Sequence, residues 1–241
     1  MIPETVKVNG GRKPIHNMSD MLDLTLPLTE KILRYPGDSL PIFKKETDIE
    51  RGDVLTVSHL SMNCHAGTHV DAPAHFLGDG ETLDELRLGR FHGPAVVYEY
   101  LDCDVIASQD LRAAQIPERH HMFLKTRNSE LLQRDTFSST YCTVSPDAAE
   151  LLCALQPLSV GFDYYSLDPY EEETGFPAHT VFARAGIPVY VCLNLKDVPV
   201  GEYLFSGFPL RLAGAEASPV RAVLMQAVES SRRENHSRKV T

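Results

Sequence analysis

Seven stretches of this chain, residues 21–28, 55–62, 94–100, 121–125, 159–163, 187–195 and 220–225, are short, apolar or alternating, and bounded by Gly, Pro, Asp or Ser. Most are rich in Val, Ile, Leu, Tyr and Phe, the side chains that fit a pleated, half-buried surface, so they predict strands. Helix signals are fewer. Ser145-Pro146-Asp147 supplies an N-cap, a proline at the first helical position and an acidic first turn, and Pro157 stops the run that follows. Ser108 opens a shorter segment that ends before Pro117, and 82–88 has room for a helical turn or two. Many strands and few helices in one chain predict a mixed α/β domain.

At 241 residues the chain suits one domain with a sizeable core, and no shift of composition divides it. We expect an N-terminal extension over 1–20, the domain over 21–228 and a polar tail over 229–241. With 23 Lys and Arg against 33 Asp and Glu, the net charge is −10, and no basic cluster offers a surface to nucleic acid or an anionic membrane. Apolar stretches are too short to span a bilayer, and the opening residues lack the apolar core of a signal peptide. Five cysteines form no Cys-x-x-Cys pair. Together these features predict a cytoplasmic protein with reduced thiols.

Chemistry concentrates in residues 59–76. The even positions from 60 to 76 are Leu, Met, Cys, Ala, Thr, Val, Ala, Ala and Phe, and the odd positions hold His65, His69, Asp71 and His75. An extended chain sends alternate side chains to opposite faces, so one face packs inward while these four share the other. Neighbours on that face stand roughly 7 Å apart, so convergence needs a bend, for which Gly67 and Pro73 are the candidates. Two imidazoles and a carboxylate suit Zn²⁺, Mn²⁺ or Fe²⁺ and leave room for water, while His75 suits general acid/base work.

The segment His65-Ala-Gly67-Thr68-His69-Val-Asp71-Ala-Pro73-Ala-His75 resembles the His-x-Gly-Thr-His-x-Asp-x-Pro-x-His signature of the cyclase superfamily, which includes bacterial kynurenine formamidases and isatin hydrolases. The resemblance runs from about Asp23 to about Met225. It takes in Leu24-Thr25-Leu26-Pro27-Leu28, Tyr35-Pro36-Gly37-Asp38, Gly161-Phe162-Asp163 with Ser166-Leu167-Asp168-Pro169, Pro209-Leu210-Arg211, and 217–222. It implies an α/β fold around a small β-barrel with flanking helices, and a homo-oligomer, dimer or tetramer. It also implies that His65, His69 and Asp71 hold one divalent metal, Zn²⁺ or Mn²⁺, that His75 carries the proton, that His179 serves the metal site, and that Tyr35 lines the substrate pocket.

One position departs from the pattern. Formamidase-type members carry a metal-bridging glutamate about a dozen residues after the later histidine, where this chain has Val191 or Cys192. A single metal is therefore expected, completed by His179 or by the Cys192 thiolate, although a buried free cysteine usually only packs. Cys64 reads as packing, His59 as a solvent or core histidine, His120-His121 as a pair pointing to opposite faces, and Tyr164 and Tyr165 as core or pocket wall. The acidic run 171–173 reads as a solvated loop or, less readily, a lid beside His179. The expected activity is hydrolysis of an amide or lactam C–N bond in a small molecule. The alternatives are a cyclase or dehydratase using the same site, and a non-catalytic metal- or ligand-binding protein.

Overall fold

Each of the seven stretches contributes a strand in the computed structural model, which describes residues 21–112, 116–170 and 175–226. The expected extension 1–20, the tail 229–241 and the acidic run 171–173 lie outside the described residues. In chain order the elements are β1 (Met21–Asp23), β2 (Ile42–Thr47), β3 (Val57–Ser61), β4 (His69–Asp71), β5 (His92–Tyr100), β6 (Val105–Ile106), α1 (Ser108–Arg112), β7 (His121–Thr126), α2 (Asn128–Leu131), β8 (Thr143–Val144), α3 (Pro146–Ala154), β9 (Ser159–Phe162), α4 (Pro177–Arg184), β10 (Val189–Val191), β11 (Gly201–Ser206), β12 (Ala217–Pro219) and β13 (Val223–Gln226).

Nine strands form one sheet in the order β1-β13-β11-β5-β7-β9-β10-β4-β12. The central four, β5, β7, β9 and β10, are parallel, and the flanking pairs are antiparallel. Parallel neighbours need crossover connections, and α1, α3 and α4 lie on those crossovers. The sheet must curl. β12 and β13 are separated by seven strand spacings, roughly 34 Å if flat. Yet only Val220, Arg221 and Ala222 join them, a link of at most about 14 Å. The chain leaving β1 seals the resulting seam: Leu24 N–H donates to Ala222 O, Asn194 N–H to Leu24 O and Leu26 N–H to Thr68 Oγ1. Leu24 and Leu26 plug it, which is why the apolar stretch runs beyond β1 itself.

Alternation splits the central strands between two cores. Met122, Leu124, Val160, Val189 and Val191 pack on the helix side, while Phe123, Val70, Tyr190 and Leu193 fill the concave interior. The expected parity of 59–76 holds at β4, where Val70 enters the interior and His69 and Asp71 face the other way. It fails upstream: Leu60 belongs to the separate β2–β3 hairpin, whose Ile42, Phe43, Val57 and Leu60 are all exposed.

Ser145 caps α3 as expected, accepting a hydrogen bond from Ala148 N–H. The 82–88 stretch forms turns rather than a regular helix, with a 3-10 turn at Leu88–Arg90. Helix α4 was not legible in the sequence because its N-cap residue is Phe176, in a left-handed conformation that offers no side-chain acceptor. The acceptor comes from elsewhere: the Asp168 carboxylate takes the N–H groups of Ala178 at 2.7 Å and His179 at 3.0 Å.

His121 begins β7 fully buried, its Nδ1 2.7 Å from Ser159 Oγ. Burial pushes its pKa down to about 3. Since the unfolded residue titrates near 6.5, its share of stability is complete above about pH 6.5 and is lost as pH falls towards 3, on the order of 5 kcal/mol in full. Melting temperatures across that window should therefore fall steeply in acid, and the His121→Phe variant should flatten the acid limb whatever its absolute stability. Equal slopes would show that His121 is not the group responsible.

Candidate metal centre

Three side-chain atoms converge on one point. His65 Nδ1 lies 3.2 Å from His69 Nε2 and 3.0 Å from Asp71 Oδ1, and His69 Nε2 lies 3.3 Å from the same oxygen. Atoms that share a small divalent ion at about 2.0–2.2 Å stand roughly 3.0–3.5 Å apart, the edge of an octahedron or tetrahedron. Protonation supports this. His69 Nδ1 is 2.7 Å from Gly67 O, which can only accept, so Nδ1 carries the proton and Nε2 presents a lone pair. Asp71 Oδ1 is buried and accepts no hydrogen bond of sound geometry despite its two imidazole neighbours. Three potential ligand atoms lie within 3.3 Å of one another, one of them a buried carboxylate oxygen without a hydrogen-bond partner, and these residues fit a divalent metal. No other cluster of His, Cys, Asp and Glu among the described residues does so.

The surrounding residues explain the motif. Gly67 has φ +66, and a Cβ there would meet Ile32 Cδ1 and Leu28 Cδ2 at 2.9 Å, so it supplies the bend that alternation required. Thr68 Oγ1 donates to Cys192 O at 2.7 Å, tying β4 to the end of β10. Pro73 opens the 3-10 turn that carries His75. Glu216, which sequence reasoning did not single out, places Oε1 3.4 Å from His65 Nε2, the outer carboxylate that commonly orients a metal-binding imidazole. Burial opposes ionisation of Asp71, but the two imidazoles outweigh it and hold the carboxyl well below its usual range. Desolvation by the surrounding protein, opposed by Asp71 and reinforced by the other histidines, lowers the His75 pKa.

A cavity of about 340 Å³ opens onto this centre, lined by Tyr35, His75, Phe76, Tyr165, Phe176 and His179 together with the three converging residues, Asp38 and Ser166. Tyr35 and Asp38 are presented by a turn in which Asp38 N–H bonds Tyr35 O and Gly37 takes φ +97. The His75 ring lies 4.2 Å from that of His65. His179 is in the cavity but outside the three-atom cluster: its Nδ1 is 2.7 Å from Asp168 Oδ2, a buried pair that leaves Nε2 as its remaining polar atom. Asp168 thus both caps α4 and orients His179. Its motif was visible in the sequence, but that role was not.

The Cyclase family model matches residues 22–169. The chain belongs to the cyclase family. It is 30% identical over 207 residues to a kynurenine formamidase from Geobacillus thermodenitrificans, covering 86% of this chain and 98% of that protein. It is also 30% identical to a solved structure described as a "predicted metal-dependent hydrolase from Bacillus stearothermophilus", with a TM-score of 0.74 over 86% of this chain and 98% of that one. Isatin hydrolase A from Ralstonia solanacearum shares the fold, with 22% identity and a TM-score of 0.76 over 86% and 92% of the two chains.

Within this cyclase-family site, strand register places one of the two positions left open for the formamidase-type glutamate. Val191 pairs with His69, and Val189 with Asp71, in the antiparallel β10–β4 register. Directly opposed residues share a face, so Val191 stands on the metal side. Cys192 lies beyond the strand with φ 55, so simple alternation no longer sets its direction. It packs near Tyr165, and burial together with the charge of Asp71 pushes its thiol pKa well up, which disfavours the thiolate a metal would need. Cys192 is absent from the converging cluster.

Proposed function

We propose that this protein is a metal-dependent hydrolase that opens the amide or lactam C–N bond of a small aryl substrate, an aryl formamide or an isatin-like ring. The observation that carries this reading is the triangle of potential ligand atoms from His65, His69 and Asp71 at the floor of an aromatic-walled cavity. A single divalent ion, Zn²⁺ or Mn²⁺, held there would polarise a carbonyl and lower the pKa of water. The remaining steps belong to the chain's own side chains. His75 takes the proton of the attacking water and returns it to the leaving nitrogen. His179, held by Asp168, offers Nε2 to the substrate. Tyr35, Phe76 and Phe176 sandwich a flat ring and restrict access of bulk water. Val191 in place of a carboxylate favours one metal over two, and keeps open a second reading in which the same site closes a ring by dehydration.

Metal content and turnover on a panel of N-formyl aryl amines, isatins and lactams test this. The expected result is one equivalent of metal and hydrolysis of at least one panel member, lost on chelation and restored by Zn²⁺ or Mn²⁺. Metal-free protein without turnover would sink the proposal; ring closure in place of hydrolysis would select the second reading.

A homo-oligomer is part of the same proposal. A lone two-stranded hairpin is marginal in water, yet β2–β3 and its tip expose Ile42, Phe43, Ile49, Val54, Leu55 and Leu60. Light scattering should return a multiple of 26.8 kDa, and a monomeric mass at working concentration would reject it. We also place the protein in the cytoplasm: all five cysteines are free, and no described helix is long and apolar enough to cross a membrane.

A further inference from the structure

A second cavity, of about 560 Å³, shares no lining residue with the metal pocket. Its wall is basic: Arg87, Arg90 and Arg119 line it against a single carboxylate, Glu81, in a chain whose net charge is −10. Arg90 is half-buried, and its Nη1 donates to Pro157 O at 2.8 Å and Leu158 O at 3.3 Å, so one guanidinium is held in place by the wall itself. A planar guanidinium with a fixed head is suited to bidentate recognition of an oxyanion in a way that a lysine is not.

The backbone supplies an independent observation. Four described non-glycine residues have positive φ: Arg119, Gln156, Phe176 and Cys192. Phe176 lines the metal pocket, and Cys192 adjoins it through Tyr165. The other two, Arg119 at φ 56 and Gln156 at φ 51, both line the second cavity. Such conformations are disfavoured for residues with a Cβ and concentrate where structure serves a site. Here they are locked by two backbone hydrogen bonds, Arg119 N–H to Leu155 O and Leu158 N–H to His120 O, which hold the two turns together. The cavity also shares supporting backbone with the metal pocket. Ala74 N–H, one residue before His75, donates to Glu81 O, and the Ala185 and Ile187 wall lies just past the end of the helix that carries His179.

We propose that this cavity is a second binding site, separate from the metal centre, for a small metabolite bearing carboxylate or phosphate oxyanions. Arg90 is the fixed anchor. Arg87 and Arg119, both exposed, close on the ligand, and Glu81 sets a limit on its charge by repulsion. The site requires no metal and takes no part in the hydrolytic step.

Calorimetric titration of the metal-loaded full chain with malonate and with pyrophosphate, at constant ionic strength against sodium chloride, tests the proposal. Saturable 1:1 binding of either probe, absent with chloride, is expected, and which probe binds distinguishes carboxylate from phosphate recognition. Arg87→Gln combined with Arg119→Asn, the asparagine chosen because it tolerates a left-handed backbone, should weaken binding at least tenfold. Glu81→Gln should tighten it several-fold, and Arg211→Gln, at an exposed arginine outside this cavity, should leave it unchanged. Metal content should be the same in all of these variants. Opposite effects of the arginine and glutamate substitutions cannot arise from misfolding alone. No saturable binding of either probe, or binding indifferent to the paired arginine substitution, overturns the proposal.

Discussion

His69→Ala should strip the protein of its metal. Nε2 of His69 completes a triangle whose other corners are His65 Nδ1 and Asp71 Oδ1, and its tautomer is set by Gly67 O. Alanine removes one of three protein ligands and leaves the buried Asp71 carboxylate beside one imidazole instead of two. Loss of an outer partner typically lowers metal affinity about 10–100-fold, so Glu216→Gln is expected to fall in that range. Loss of a ligand should exceed it, leaving well under a tenth of an equivalent after dialysis and reducing turnover by about 1,000-fold or more. Elemental analysis of both dialysed variants checks the order. Full occupancy in His69→Ala would count decisively against the assignment.

Val191→Glu should make the protein depend on a second ion. The register sets residue 191 beside His69 on the metal face, and Val191 is fully buried. A carboxylate there without a partner has no compensation for its lost hydration, a penalty of about 3–5 kcal/mol when a buried ion loses its partner. A second divalent ion would supply that partner. The variant's melting temperature should therefore be low after chelation and rise sharply on adding Zn²⁺ or Mn²⁺, with stoichiometry moving from one towards two. Cys192→Glu tests the other candidate position, whose backbone leaves the strand with φ 55; a second metal gained there and not at 191 would move the glutamate position to 192. The wild-type protein is expected to hydrolyse N-formylkynurenine weakly or not at all. Two tightly held metals in the wild type, together with efficient turnover of that compound, would overturn the one-metal reading.

Much of this site was readable before any coordinates. Of the converging residues, His69 and Asp71 occupy alternate positions of β4 and His65 lies in the turn before it, and Gly67 stands where a bend was required. Other features were invisible for a common reason. Asp168 caps α4 from outside the helix, Glu216 reaches His65 from the far end of the chain, and Arg119 meets Arg87 and Arg90 from a separate segment. No spacing pattern records such meetings. The expected alternation through Leu60 failed because β3 pairs only with β2 and has no core behind it.

Strand alternation, proline and serine helix starts, and the metal-ligand spacing were determined by the sequence alone, because each depends on backbone geometry within a few residues. Tertiary structure alone decided that β12 and β13 curl the sheet until its ends approach, that Val191 shares a face with His69, and that His179 is held by Asp168 outside the triangle of His65, His69 and Asp71. Those outcomes depend on register and closure between segments far apart in the chain, and local patterns of burial and dihedral preference carry no information about which distant partner will arrive.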